Sequence, residues 1–301
     1  MKMINSCDDF YKNSVDIRFT KHCDNDCDFC IEKKGIGNLA YSPEVKEITS
    51  SINKLIHDEK KDTFLILGGE PFLFIEDLLQ LVKNIKILKN DAKIFITTSL
   101  PYTFVSMKKE VNEIMDIIDG LNVSIHYFES EKNNEILNAS SDHNRLEVLE
   151  DLLLYKGGKY SNKIRVAFNL VKGFICLGVA IYSMLEYLKG IGCKHVKIQE
   201  LQDAEENYVS FEKIFKYHKL KSPYYHGCQT KINYIFNGDY DNMEIILKRS
   251  CFMTEKTLKA NFKDLSKVIF KKVLNKQTSL KIIYENGLVF NSWLKEKKDV
   301  R

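Results

Sequence analysis

The chain has 301 residues, 44% of them hydrophobic and 29% charged, enough to bury a sizeable core in one compact unit with an extension. Its net charge of +4 is too small to argue nucleic-acid binding by itself, so nucleic acid is not a favoured partner. Met1–Cys7 lacks the apolar run of a signal peptide, no segment reaches membrane-spanning length, and eight cysteines without an export signal point to a cytoplasmic protein with metal-bound or buried thiols.

In chain order, Ser14-Val-Asp-Ile-Arg-Phe-Thr20 alternates apolar and polar residues and predicts a first strand. Three residues on comes Cys23-Asp-Asn-Asp-Cys27-Asp-Phe-Cys30, three thiols at C-x3-C-x2-C spacing. A cubane iron–sulfur cluster ordinarily takes four thiolates, and no fourth cysteine follows nearby. One iron would then lack a protein ligand, and open metal sites are where metal chemistry happens. The plainer alternative is a trio of buried thiols. Ser42 and Pro43 predict the N-cap and first position of a helix running to about His57. Thr63–Leu67 reads as a buried strand that runs into Gly68-Gly69-Glu70-Pro71. Two glycines let a backbone come close to a ligand, and the glutamate offers a carboxylate to an ammonium.

Helices are expected over about Ile75–Ile87, Lys108–Ile118 and Leu177–Lys189, and one carrying Arg145 to Leu154 capped by Asp142. Strands are expected at Lys93–Thr98, Leu121–His126, Ile164–Val171 and His195–Leu201. Six βα repeats predict a parallel sheet curled into an open α/β barrel. Ligands gather at the carboxyl ends of such strands. That rule nominates Thr98, Ser99, Ser124, His126, Asn169, Lys172, Gln199 and Glu200, with Asn169 counted among the cofactor contacts. Glu200 interrupts an apolar strand end and would meet a cationic or hydroxyl-bearing substrate; Lys172 would meet a carboxylate or phosphate. A barrel-rim charge is the plainer reading of both. His22, just before the first cysteine, would tune the cluster by hydrogen bonding.

The cysteine spacing and its setting after the first strand resemble the radical S-adenosylmethionine (radical SAM) superfamily. The resemblance implies a partial (β/α)6 barrel with a [4Fe–4S] cluster on Cys23, Cys27 and Cys30. Its fourth iron would chelate S-adenosylmethionine (SAM), whose reductive cleavage gives a 5′-deoxyadenosyl radical that abstracts hydrogen from a substrate. Phe29 matches the aromatic residue set against the adenine side of SAM. Gly68, Gly69 and Glu70 match the element that binds the methionine amino group. Ser124 matches a serine touching the SAM ribose or carboxylate, and Arg145 an arginine pairing with the carboxylate.

The alternation stops after Leu201, giving a core over 1–201 and an α+β extension over 202–301 expected to cover the substrate. Lys231–Phe236 and Met243–Lys248 flank Asn237-Gly238, a hairpin signal that brings Cys228 and Cys251 toward its open end. Helix-periodic Leu258 to Val273 follow, then a second hairpin over Lys281–Asn291. This order faintly resembles the auxiliary-cluster ("twitch") extension of some radical SAM enzymes, but no cysteine follows Cys251, and Cys176 and Cys193 sit at opposite ends of one helix. Paired buried thiols are expected over a second cluster or a site with His226.

A basic face beyond Lys256 would receive a flavodoxin- or ferredoxin-like electron donor, although a solvated amphipathic helix explains it as well. With the first strand at Ser14, no cobalamin or leader-recognition domain is expected upstream. The substrate stays open among a small molecule, a nucleotide and a short peptide. Competing readings are a peptide-modifying maturase with an auxiliary cluster, a non-catalytic iron–sulfur electron-transfer or sensor protein, and a zinc module.

Overall fold

The computed structural model describes residues 12–30, 42–140, 142–201, 205–214, 229–232, 234–235, 238–240, 242–248 and 281–291. The chain divides into two units, residues 1–23, 32–121 and 271–301 in one and residues 24–31 and 122–270 in the other.

The first unit is built on parallel strands β1 (Ser14–Thr20), β2 (Thr63–Gly68) and β3 (Lys93–Thr98), paired in register Val15↔Phe64 and Phe64↔Ile94. Val15, Ile17 and Phe19, then Phe64 and Ile66, then Ile94 and Ile96 are all fully buried, and β1 is buried along its whole length, Asp16 and Arg18 included. Three helices supply matching stripes. Helix α1 (Val45–Glu59) buries Val45, Ile48, Ile52 and Leu55, while α2 (Ile75–Leu88) buries Leu78, Leu81, Val82 and Ile85. Helix α3 (Lys108–Ile117) buries Val111, Ile114 and Met115. The expected Ser42–Pro43 start is displaced: α1 begins at Val45 after Glu44, whose amide is taken by the Glu285 carbonyl. Lys60 closes the helix in a left-handed conformation, with φ 56°.

The second unit takes strand β4 (Gly120–Ser124), inside which the division falls, and orders it as β4, β5 (Ile164–Leu170), β6 (His195–Glu200). Between β4 and β5 lie two helices, α4 (Ser130–Leu137) and α5 (Arg145–Gly158). Helix α4 falls where the sequence shows only a loop. Helix α5 is capped by Asn144, whose Oδ1 accepts from the Leu146 and Glu147 amides at 3.1 and 3.4 Å; Asp142, the expected cap, is exposed. Regular geometry ends before Tyr155, and Lys156 and Gly157 are left-handed. Helix α6 (Gly178–Gly190) buries Ile181, Met184, Leu185 and Leu188.

The residues beyond 201 extend the strands of both units. In the second unit, β7 (Gln229–Ile232), the two-residue pair β8 (Tyr234–Ile235) and β9 (Gly238–Asp239), and β10 (Glu244–Lys248) follow. Strand β10 pairs parallel with β6 and antiparallel with β7, and β8 pairs antiparallel with β9, Ile235 opposite Gly238. In the first unit, β11 (Ile282–Ile283) adds parallel to β1 with Asp16 opposite Ile282, and β12 (Val289–Phe290) folds back on it. Tyr284 of that hairpin packs under Arg18, whose guanidinium lies 4.8 Å from the ring centroid. Gln229–Ile232 thus pairs antiparallel with Glu244–Lys248 and Ile282–Ile283 with Val289–Phe290, while Cys228, Cys251, His226 and the periodic stretch after Lys256 lie outside the described residues. No described helix is long and apolar enough to cross a membrane.

Candidate iron–sulfur and SAM site

The cysteine loop leaves the end of β1. Cys23 is exposed, Cys27 and Cys30 are half-buried, and the Cys30 amide donates to the Cys27 carbonyl at 3.2 Å. Among the described residues, no three Cys, His, Asp or Glu side chains converge on a single metal ion. A cubane asks something else: each thiolate binds a different iron, so its ligands must share a loop rather than a point. Three thiols on one short, backbone-anchored loop suit that demand.

In the first unit the loop's entry is tied to the turn after β2. The Gly69 amide donates to the Thr20 carbonyl at 2.6 Å and the Glu70 amide to the His22 carbonyl at 2.8 Å. The glycines are required by this closeness. A Cβ on Gly68, whose φ is 128°, would stand 2.4 Å from the Thr20 oxygen, and one on Gly69 would stand 2.1 Å from that of His22. The close approach expected toward a ligand is thus made, in this structure, toward the chain entering the cysteine loop.

Glu70 follows directly on this turn. Its carboxylate is buried and accepts four hydrogen bonds, from the Phe72 amide (3.2 Å) and Thr98 Oγ1 (2.8 Å) on one oxygen and from the Ser99 amide (2.7 Å) and Oγ (2.8 Å) on the other. It joins the ends of β2 and β3, with Thr98 and Ser99 as its donors. Burial outweighs these bonds and pushes the carboxyl up to about 7. His22 is exposed, its ring edge-on to Phe74 at 6.1 Å.

In the second unit the middle of the loop is held by the segment that follows α4. The Asp26 amide donates to the Leu137 and Asn138 carbonyls, each at 3.1 Å, and Ser140 donates to the Asp24 carbonyl from its amide (2.9 Å) and its Oγ (2.7 Å). Asn25 and Ala139 form an antiparallel bridge, and Cys27 Sγ donates to the Leu137 carbonyl at 3.4 Å. Asn138 turns the chain back in a left-handed conformation, with φ 46°. Beneath them, fully buried, lies Arg145. Its guanidinium donates to Asn134 Oδ1 at 2.7 Å, Asn25 Oδ1 at 3.2 Å and Asp24 Oδ2 at 3.4 Å. The residue expected to meet the SAM carboxylate is here bonded to the cysteine loop.

Phe29 packs on buried Val171 and Leu201 with Phe174 and Tyr208, and stands edge-on to His126 at 5.4 Å. His126 is buried, and its Nδ1 accepts from the Asn169 amide at 3.2 Å, which puts the ring proton on Nε2. Desolvation holds the imidazole neutral, down to about 4. Asn133 Oδ1 in turn accepts from the His126 amide at 2.7 Å. Ser124 is half-buried at the end of β4, and the side chain of Asn169 accepts from Gln199 Nε2 at 3.1 Å.

Glu200 and Lys172, the substrate-side candidates, lie at the ends of β6 and β5. On β6 the buried residues are Val196, Ile198 and Glu200, so Glu200 lies on the face opposite Gln199. Its Oε1 accepts from the Phe211 amide at 2.7 Å, which heads the single helical turn Phe211–Ile214. Glu200 is thus a buried hydrogen-bond acceptor. Lys172 is exposed in a turn where its amide donates to the Asn207 carbonyl at 2.9 Å. Sequence reasoning missed the hold on the loop from Asn134 to Ser140; its only trace was the run of asparagines at 133, 134 and 138.

A family model described as a 4Fe-4S single cluster domain matches residues 15–147, a span containing the cysteine loop, the glycine turn and Arg145. Among solved structures, the Streptococcus suis SuiB structure bound to S-adenosylmethionine superposes with a TM-score of 0.61 at 15% identity, covering 93% of this chain. The chain spans 58% of the length of SuiB. Native anSMEcpe with bound AdoMet gives a TM-score of 0.44 at 14% identity, covering 62% of this chain and 50% of that one. Methylornithine synthase (PylB) gives 0.42 at 16% identity, covering 62% and 52%. No curated protein matches the sequence. The chain thus has an α/β fold similar to that of SuiB, and its residues 15–147 are similar to the 4Fe-4S single cluster domain.

Proposed function

We propose that the protein is a radical SAM enzyme whose [4Fe–4S] cluster is held by Cys23, Cys27 and Cys30. One observation carries the reading: the three cysteines share a loop whose entry and middle are both anchored by backbone hydrogen bonds, with no fourth cysteine within it. Such a cluster keeps one iron for an exogenous ligand. When bound, it would supply one-electron cleavage of SAM to a hydrogen-abstracting 5′-deoxyadenosyl radical.

The chain's own residues then have distinct tasks. The Gly68–Gly69–Glu70 turn holds the loop entry through the Thr20 and His22 carbonyls, with its remaining polar backbone for the methionine end of SAM. Glu70 fixes that turn from behind. Ser124 and the polar group of Asn169 offer hydrogen bonds to the ribose or carboxylate. Phe29, set in its apolar cluster, helps exclude water near Cys30. The substrate is a small molecule, a nucleotide or a short peptide, and the electron donor is flavodoxin- or ferredoxin-like.

The test is anaerobic reconstitution followed by SAM and dithionite. A radical SAM enzyme releases 5′-deoxyadenosine; a protein that binds four irons yet leaves SAM intact would instead be an electron-transfer or sensor protein.

A further inference from the structure

Arg145 has no solvent exposure, and a fully buried guanidinium is costly unless its donors are met. Two of its three acceptors named above, Asp24 and Asn25, sit between Cys23 and Cys27, and the third, Asn134, comes from α4. The backbone immediately after α4 runs along the same loop residues from Leu137 to Ser140. One buried cation therefore ties the loop to the very segment that brackets it.

We infer that Arg145 is a positioning residue for the cluster loop, and that with Leu137–Ser140 it forms a clasp that sets the Cys23–Cys27 stretch before metal arrives. The inference rests on the ligand assignment proposed above. The chemistry supports this division of labour. A planar fork can reach several oxygens at once, so a single arginine fixes two successive loop side chains relative to α4. A loop already shaped loses less conformational entropy when it binds iron, and it opens less often to release iron. The clasp accordingly acts on cluster retention in the absence of SAM. A SAM-carboxylate contact would act on SAM affinity alone.

The experiment uses the full chain, reconstituted with iron and sulfide, and follows iron release to a ferrous chelator without SAM. Arg145→Met is expected to release iron about tenfold faster than wild type, as loss of charged hydrogen bonds predicts, and Arg145→Lys to fall between them. Ser140→Ala removes only an exposed hydroxyl's bond to the Asp24 carbonyl and should speed release a few-fold, which keeps the test open if Arg145→Met does not fold. In metal-free protein, the Asp26 amide should exchange faster with solvent in both variants. Wild-type release and exchange rates in Arg145→Met and Ser140→Ala would overturn the inference, most sharply if Arg145→Met weakened SAM binding alone. Failure of the wild type to take up a cluster would instead overturn the ligand assignment.

Discussion

Two regions hold successive stretches of one loop, and they do so by opposite means. In the first unit the Gly68–Glu70 turn grips Thr20–His22 by backbone contact, made possible because two side chains are missing. In the second unit, Arg145 and the stretch after α4 grip Asp24–Asp26 by adding polar groups, among them a buried guanidinium and a serine hydroxyl. A contact made by absence admits one residue type, and so leaves a mark that can be read in the sequence. A contact made by side chains from a separate helix leaves only ordinary polar residues behind. The glycine turn was visible; the clasp was not.

The largest effect that would break the comparison comes from the loop itself. Replacing Cys27 by Ala should abolish the brown chromophore and reduce 5′-deoxyadenosine release to background, with Cys23 and Cys30 behaving alike. Full iron and activity in Cys27→Ala would mean that neither region is holding a cluster loop.

Next in size is Gly69→Val. Its Cβ would meet the His22 carbonyl, which is backbone and cannot step aside, so stability should fall by about 3 kcal/mol or more. Iron content should drop together with SAM affinity, because the displaced atom adjoins Cys23. Iron analysis of the purified variant, set beside a SAM-binding isotherm, checks this. A variant that keeps its iron and loses only SAM affinity would show the turn to be a ligand contact and not an anchor.

The buried titratable groups separate the two regions by pH. Glu70, raised to about 7 from 4.5, keeps its proton longer when folded, so its contribution to stability is present at low pH and is lost as pH rises from about 4.5 to 7. His126, lowered from 6.5 to about 4, does the reverse: its contribution is complete above about 6.5 and is lost as pH falls toward 4. The slopes oppose each other and should partly cancel in the native protein. Denaturant unfolding of the metal-free chain between pH 4.5 and 6.5 should therefore show stability rising with pH in Glu70→Gln and falling with pH in His126→Asn, each by roughly 1–3 kcal/mol. Two variants with the same slope would contradict the assigned environments.

The smallest effect concerns the extension. Carefully reconstituted protein should hold about four irons per chain, as expected for one cubane, and Cys228→Ser with Cys251→Ser should leave that number unchanged. A count near eight that falls in the double variant would make this a two-cluster protein.

The strands and the helices α1 to α3 were legible because alternation and 3.6-residue periodicity are local. So was the antiparallel pairing of β7 with β10 and of β11 with β12. Helix α4 was not, because Ser130–Leu137 is mostly polar and buries only Asn133, Ile136 and Leu137. The Asp142 and Ser42 caps failed for a related reason: several oxygens near a helix start can cap it, and the tertiary path of the chain selects one.

By itself the sequence determined the cysteine spacing, the glycine turn and the βα order, since spacing, missing side chains and periodicity act over short stretches of chain. Only the tertiary structure decided what each polar group at a strand end faces. Glu70 and Glu200 are carboxylates at the ends of strands, and both are buried and accept from backbone amides. Arg145 turns under the loop, 120 positions from its Asn25 partner. A charged side chain carries no record of its partner, because the partner's identity depends on which distant residue the folded backbone brings within about 3 Å.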